Sequence, residues 1–185
     1  MSCFSTKLLF IAAAIGATTS TAYADRRMFT SIAMASDSDL AWLDAHYRAM
    51  PPVAAMGIGI AGYDGECLRL HAPLARHVND KGCAFGGSMA SLMTLAGWGL
   101  FTLCLRSVDL EAEVFVADST VTFRQPLYDD LAVEARRAED ASWESAFDAL
   151  RTRGRARLTV EACVRAPDAG IAAASRARFV AIAKG

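Results

Sequence analysis

At 185 residues the chain is long enough for one ordinary domain with a sizeable core, and its net charge of −1 comes from 19 basic and 20 acidic side chains that are dispersed rather than clustered. That balance argues against a nucleic-acid partner and for a small one. The five cysteines, Cys3, Cys67, Cys83, Cys104 and Cys163, are odd in number and have no metal-like spacing with the three histidines, so buried thiols are expected rather than disulfides or structural zinc.

The first 24 residues resemble a secretory signal, with Lys7, an apolar run from Leu8 to Ile15 and a small-residue end at Ala22-Tyr23-Ala24. An over-extended start explains them equally well, because Met28 and Met34 both precede the first globular-looking segment. Under either reading residues 1–36 stand apart, and the domain is expected over 37–185.

Ser36-Asp37-Ser38-Asp39 supplies N-cap chemistry for a helix whose Leu40, Leu43 and Tyr47 share a face, and Pro51-Pro52 is expected to stop it. From Val53 to Tyr63, Met56, Ile58 and Ile60 alternate with Gly57 and Gly59, which predicts a strand. Asp64-Gly65 reads as a hairpin turn, and Leu68, Leu70 and Ala72 alternate on the return strand until Pro73.

A polar loop from Leu74 to Phe85 then leads into an almost wholly apolar, helix-like run to about Arg106. No charge occurs between Lys81 and Arg106, a length sufficient to span a bilayer. The run is interrupted by Ser88, Ser91, Thr94, Gly97 and Gly99 and bracketed by strand-like segments, so the expectation is a central helix wrapped by other structure, not a membrane span.

Four strands follow. Glu113 to Gln125 alternates, with Phe115, Ala117, Val121 and Phe123 expected on one face and Val114, Val116, Asp118, Thr120 and Thr122 on the other. After Pro126 and a turn at Asp129-Asp130, Leu131, Val133 and Ala135 begin the next strand. Glu139 to Arg153 reads as a helix carrying Trp143, Phe147 and Leu150 on one side and ending at Gly154. Arg155 to Arg165 is a half-exposed strand, and Pro167-Asp168-Ala169-Gly170 turns the chain into a last strand through Phe179-Val180-Ala181-Ile182. The class is therefore α+β, an antiparallel sheet around one apolar helix.

The junction of loop and helix carries the chemistry. Gly86 and Gly87 let a backbone approach closely, and the first helical N–H groups have no intrahelical partner, which suits a carboxylate, a phosphate or a developing oxyanion. Plain close packing explains a glycine pair as well.

The segment Asn79-Asp-Lys-Gly-Cys-Ala-Phe-Gly-Gly-Ser88, followed by Leu95-Ala-Gly-Trp98, resembles the thioesterase-like family typified by the YiiD C-terminal domain, a branch of the hotdog fold. Further matches are Ala117-Asp118-Ser119 with the downstream Phe-Arg-Gln-Pro, Gly154-Arg-Ala-Arg-Leu, and Arg178-Phe-Val-Ala, so that residues 38–183 are covered. The resemblance implies hydrolysis of an acyl-CoA or acyl-carrier-protein thioester, without a cofactor or metal, at a site shared between the subunits of a homodimer or a dimer of dimers. It implies a cytoplasmic enzyme, with export as the alternative if residues 1–24 are a genuine signal.

In hotdog relatives an Asn, a His-Gly-Gly and an acidic residue on the helix cooperate. Here Asn79 is retained, Phe85 stands where the His would be, Gly86 and Gly87 keep the pair, and the acidic position is Thr94. The resemblance therefore assigns the oxyanion to the Gly86 or Gly87 N–H and leaves the base open. Asn79 can hold water but cannot act as a base at neutral pH. The candidate carboxylates are Asp80 in the same loop and Asp118, expected as a desolvated acid on the strand face of Val114 and Val116 or equally as a partner of Arg124 or a solvent-facing residue on a half-exposed sheet. Thr94 orients water or bonds its own backbone. His77 with Cys83 is a weaker nucleophilic pair, His77 being more simply a surface residue. Arg151, Arg153, Arg155 and Arg157 are candidates for a coenzyme A phosphate, although an exposed strand explains the last two. The competing reading is a non-catalytic acyl-CoA-binding or regulatory module that has lost the helix carboxylate.

Overall fold

The computed structural model describes residues 36–167 and 169–184, so the signal-like segment lies outside the described residues except for Ser36. Ser36 caps helix α1, Asp37–Ala49, through a reciprocal pair: its hydroxyl accepts the Asp39 N–H at 3.2 Å while the Asp39 carboxylate accepts the Ser36 N–H at 3.1 Å.

Pro51-Pro52 does end α1, but it also opens a second short helix, α2, Pro51–Met56. Proline lacks only a donor that the first helical turn would leave unpaired, and its φ is already helical. Val53 and Met56 are therefore helical, and the predicted strand shrinks to β1, Gly59–Tyr63, beyond the left-handed cap at Gly57. The Asp64 carboxylate accepts the N–H groups of Glu66 and Cys67 and so closes the turn into β2, Cys67–Ala72.

The remaining elements are a single 3-10 turn at Leu74–Arg76, helix α3 at Gly86–Arg106, β3 at Ala112–Phe123 and β4 at Leu131–Arg137, then helix α4 at Trp143–Arg153, β5 at Arg155–Arg165 and β6 at Ile171–Ala183. Helix α4 starts four residues later than Glu139, because Ser142 caps it by accepting the Ser145 N–H. The strands form one antiparallel sheet in the order β1-β2-β4-β5-β6-β3. Helix α3 lies against it, burying Leu92, Met93, Leu100, Phe101 and Leu103, which is the expected hotdog arrangement. Although α3 is long and apolar enough to cross a membrane, its apolar surface is taken up by the sheet and α1. At Gly97 an added Cβ would stand 2.8 Å from the Phe179 ring, and at Gly99 only 2.2 Å from the Tyr47 hydroxyl, so these glycines set how closely helix, sheet and α1 approach.

Strand β3 departs from the predicted alternation. Val116 lies opposite Phe179 and Asp118 opposite Arg178, so Ala117 is an extra residue, a β-bulge. Directly opposed residues share a face, and Phe179 and Ala177 are buried. Val114 and Val116 therefore point toward α3 together with Ser119, Val121 and Phe123, while Phe115, Asp118, Thr120 and Thr122 occupy the outer face. One inserted residue exchanged the faces of half the strand.

Candidate active site

The loop between the 3-10 turn and α3 is held by short-range bonds. Asn79 Oδ1 accepts the N–H groups of Lys81 and Cys83, and its Nδ2 donates to the Cys83 sulfur at 3.2 Å. The Asn79 amide expected to hold a water is thus engaged within its own loop. Backbone bonds then tie Ala84 to the Leu127 carbonyl and Phe85 to the His77 carbonyl.

His77 is not a surface residue. It is 3% exposed, and its Nε2 lies 2.9 Å from the Met56 carbonyl, fastening the loop to the end of α2. The predicted strand around Met56 hid this brace, because only the turn at the end of α2 leaves that carbonyl available. Cys83 is buried against Asn79, while Cys67 and Cys104 are buried free thiols and Cys163 is half-buried.

The loop delivers the chain to the head of α3. Met89 donates the first intrahelical bond, to Phe85, so the N–H groups of Gly86, Gly87 and Ser88 precede the ladder and, among the described residues, have no acceptor. Gly86 is half-buried and Gly87 exposed. Phe85, at the cap position, is 55% exposed, and Phe123 from the end of β3 is 54% exposed, its ring 3.3 Å from where a Gly86 Cβ would stand. The three donors therefore lie at the positive end of a helix of 21 residues, with the Phe123 ring beside Gly86 and the Phe85 ring beside Gly87. From sequence Phe85 is marked only as standing in the place of a His, and Phe123 only as one residue of an alternating face. An exposed Phe at a helix cap and another at the end of an edge strand become meaningful only once they stand beside the same glycine pair.

The structure brings Asn79, Asp80, Gly86 and Gly87 to one end of the molecule. Asp80 is exposed and paired with Lys81 at 2.9 Å. Thr94 lies eight residues along α3, about 12 Å from Gly86 at the helical rise, and donates to the Ala90 carbonyl at 2.9 Å. Asp118 is on the opposite face of the sheet from α3. It is exposed and ion-paired with Arg178 rather than Arg124, so the expected desolvated carboxylate beside Val114 and Val116 is corrected by the bulge.

A buried helix in a curled antiparallel sheet, with unpartnered amides at its head, defines a hotdog-fold protein of the thioesterase type. The chain belongs to the family described as "Putative thioesterase (yiiD_Cterm)", whose model matches residues 42–183. Among solved structures it is similar to a putative thioesterase from Shewanella oneidensis, at 23% identity and TM-score 0.71, over 80% of this chain and 99% of that one. A protein of unknown function from Chlorobaculum tepidum matches at 23% identity and TM-score 0.71, over 80% of this chain and 93% of the other. A probable thioesterase of Pseudomonas aeruginosa matches at 22% identity and TM-score 0.68, over 82% and 99%. These likenesses establish the fold.

Proposed function

We propose that the chain hydrolyses an acyl-CoA or acyl-carrier-protein thioester at the head of α3. The supporting observation is the set of N–H groups at Gly86, Gly87 and Ser88, unpartnered among the described residues, with Phe85 and Phe123 beside the glycines. A thioester carbonyl seated there gains two donors and the helix field as it becomes negative, and one such donor is typically worth about 3 kcal/mol in the transition state. The acyl chain lies along the exposed phenylalanines. Asp80, in the loop that leads into α3, serves as the base for water, with Asn79 shaping that loop; Asp118, on the outer sheet face, is the alternative base and Thr94 a water-orienting hydroxyl further down the helix.

The site is shared in a homodimer. Among the described residues β3 is an edge strand of 12 residues with no strand partner on one side, and Phe115 and Val116 on it are about half exposed. Such an edge pairs with a second copy of itself, the sheet continuing across the two-fold axis. The compartment that holds such thioesters is the cytoplasm.

Free-thiol detection on a panel of acyl-CoA and acyl-carrier-protein substrates tests the proposal, with Asp80→Asn and Asp118→Asn assigning the base. Loss of kcat in Asp80→Asn alone identifies Asp80, and loss in Asp118→Asn alone identifies Asp118. A second reading, a non-catalytic acyl-CoA-binding module, is favoured by one observation: Thr94 replaces the helix carboxylate and spends its hydroxyl on Ala90. Tight binding without turnover for every chain length establishes that reading instead.

A further inference from the structure

We propose that the outer face of the sheet anchors the phosphates of coenzyme A, with Arg124 and Arg136 as the binding residues; this rests on the thioester reading above. On the face away from α3 lies a depression of about 850 Å³, lined by five arginines and only three acidic side chains. Ion pairs account for three of the five: Arg165 with Glu134, Arg176 with Glu161 and Asp140, and Arg178 with Asp118. Arg124 and Arg136 are exposed and have no acidic partner among the described residues.

The two line the same depression from different strands, Arg136 on β4 and Arg124 just beyond the end of β3. Cys163, half-buried on β5, lines the depression between those two strands; burial pushes its thiol up and Glu134 adds to that, while Arg165, Arg136 and Arg124 pull it down. A guanidinium offers paired donors that match phosphate oxygens, and two free ones on separate strands of one depression match a ligand that carries more than one phosphate better than a lone carboxylate.

Position selects the ligand. Arg124 directly follows Phe123, whose ring abuts Gly86, so the depression begins at the same end of the sheet as the head of α3 but on the other face. A molecule with a thioester at one end, phosphates at the other and a flexible arm between them rounds the sheet's end and occupies both places. Arg155 and Arg157 do not qualify: they pair with Ile182 and Val180 at the far end of β5 and β6.

Adenosine 3',5'-bisphosphate, which carries phosphates but no thioester, is the probe, titrated calorimetrically into the full chain and into Arg124→Ala/Arg136→Ala. The expected result is binding that weakens as salt rises and falls at least tenfold in the double variant, with an unchanged melting temperature. In hydrolysis, KM for acyl-CoA rises tenfold or more at constant kcat, while acyl-pantetheine, lacking the nucleotide phosphates, is unaffected. Equal binding by wild type and variant, or none by wild type, overturns the proposal, as does an effect confined to acyl-carrier protein. Variant-sensitive bisphosphate binding without any hydrolysis keeps the anchor and removes the thioesterase reading; hydrolysis with KM unmoved does the reverse.

Discussion

The ring of Phe123, at the end of β3, stands 3.3 Å from the place a Cβ on Gly86 would occupy. That contact joins the edge strand to the head of the central helix, and it makes the last residue of β3 one wall of the candidate site. The same strand end continues into Arg124 on the opposite face, so one short stretch of backbone serves both the amides and the arginine-lined depression.

Replacing Gly87 by Ala tests the other wall. The new Cβ would fall 2.3 Å from the Phe85 ring, but that ring is 55% exposed and free to swing away. Stability is expected to change by no more than about 0.5 kcal/mol, as for an ordinary surface position. KM for a thioester substrate should nevertheless shift, because the displaced ring moves across the helix head. Thermal melting and steady-state kinetics on the same preparation check both parts.

His77→Ala removes the brace between the loop and α2. It leaves the Met56 carbonyl without its partner and opens space at a side chain only 3% exposed, so a loss of about 1–3 kcal/mol is expected. Denaturant unfolding measures it. A variant as stable as wild type would show that the loop is held by its backbone bonds alone.

Gly99→Ala forces a methyl group to within 2.2 Å of the Tyr47 hydroxyl and 2.9 Å of Leu68. Tyr47 is itself fixed by its bond to the Leu95 carbonyl at 2.8 Å, so the clash falls on a packed core and should cost about 1–3 kcal/mol. Gly62→Ala is the control: its Cβ meets nothing within 4 Å, and its melting temperature should stay close to that of wild type.

Asp64 predicts an acid-range effect. The hydrogen bond from Arg69 lowers its carboxyl from 3.8 to about 2, helped by the N–H groups of Glu66 and Cys67. A carboxyl depressed by folding stabilises the protein above its unfolded value and loses that contribution as pH falls from about 4 toward 2. The side chain is 44% exposed, so solvent screening holds the effect at neutral pH below about 1 kcal/mol. In Asp64→Asn the slope of stability against pH between 4 and 2 should flatten relative to wild type.

Sequence alone determined the parts whose signal is local. A run apolar on every side, broken by small residues, had to be a helix enclosed by other structure; local patterns marked five of the six strands closely; and Ser36 and Gly154 marked helix ends because caps are satisfied by neighbours in the chain, although the Ser142 cap went unread and that helix was placed four residues early. The glycine pair at the loop–helix junction was legible for the same reason. What only the tertiary structure decided depends on partners far apart in the chain. A strand's alternation gives two faces but cannot reveal an inserted residue, so the bulge at Ala117 moved Asp118 to the outer sheet face and Val114 and Val116 to the inner one. Proline is compatible with both the end and the start of a helix, and the fold chose both at Pro51-Pro52. His77 became a brace, and Phe123 a wall, through residues they meet only in space: burial and hydrogen-bond satisfaction are settled by the whole chain, whereas periodicity and capping are settled within a few residues.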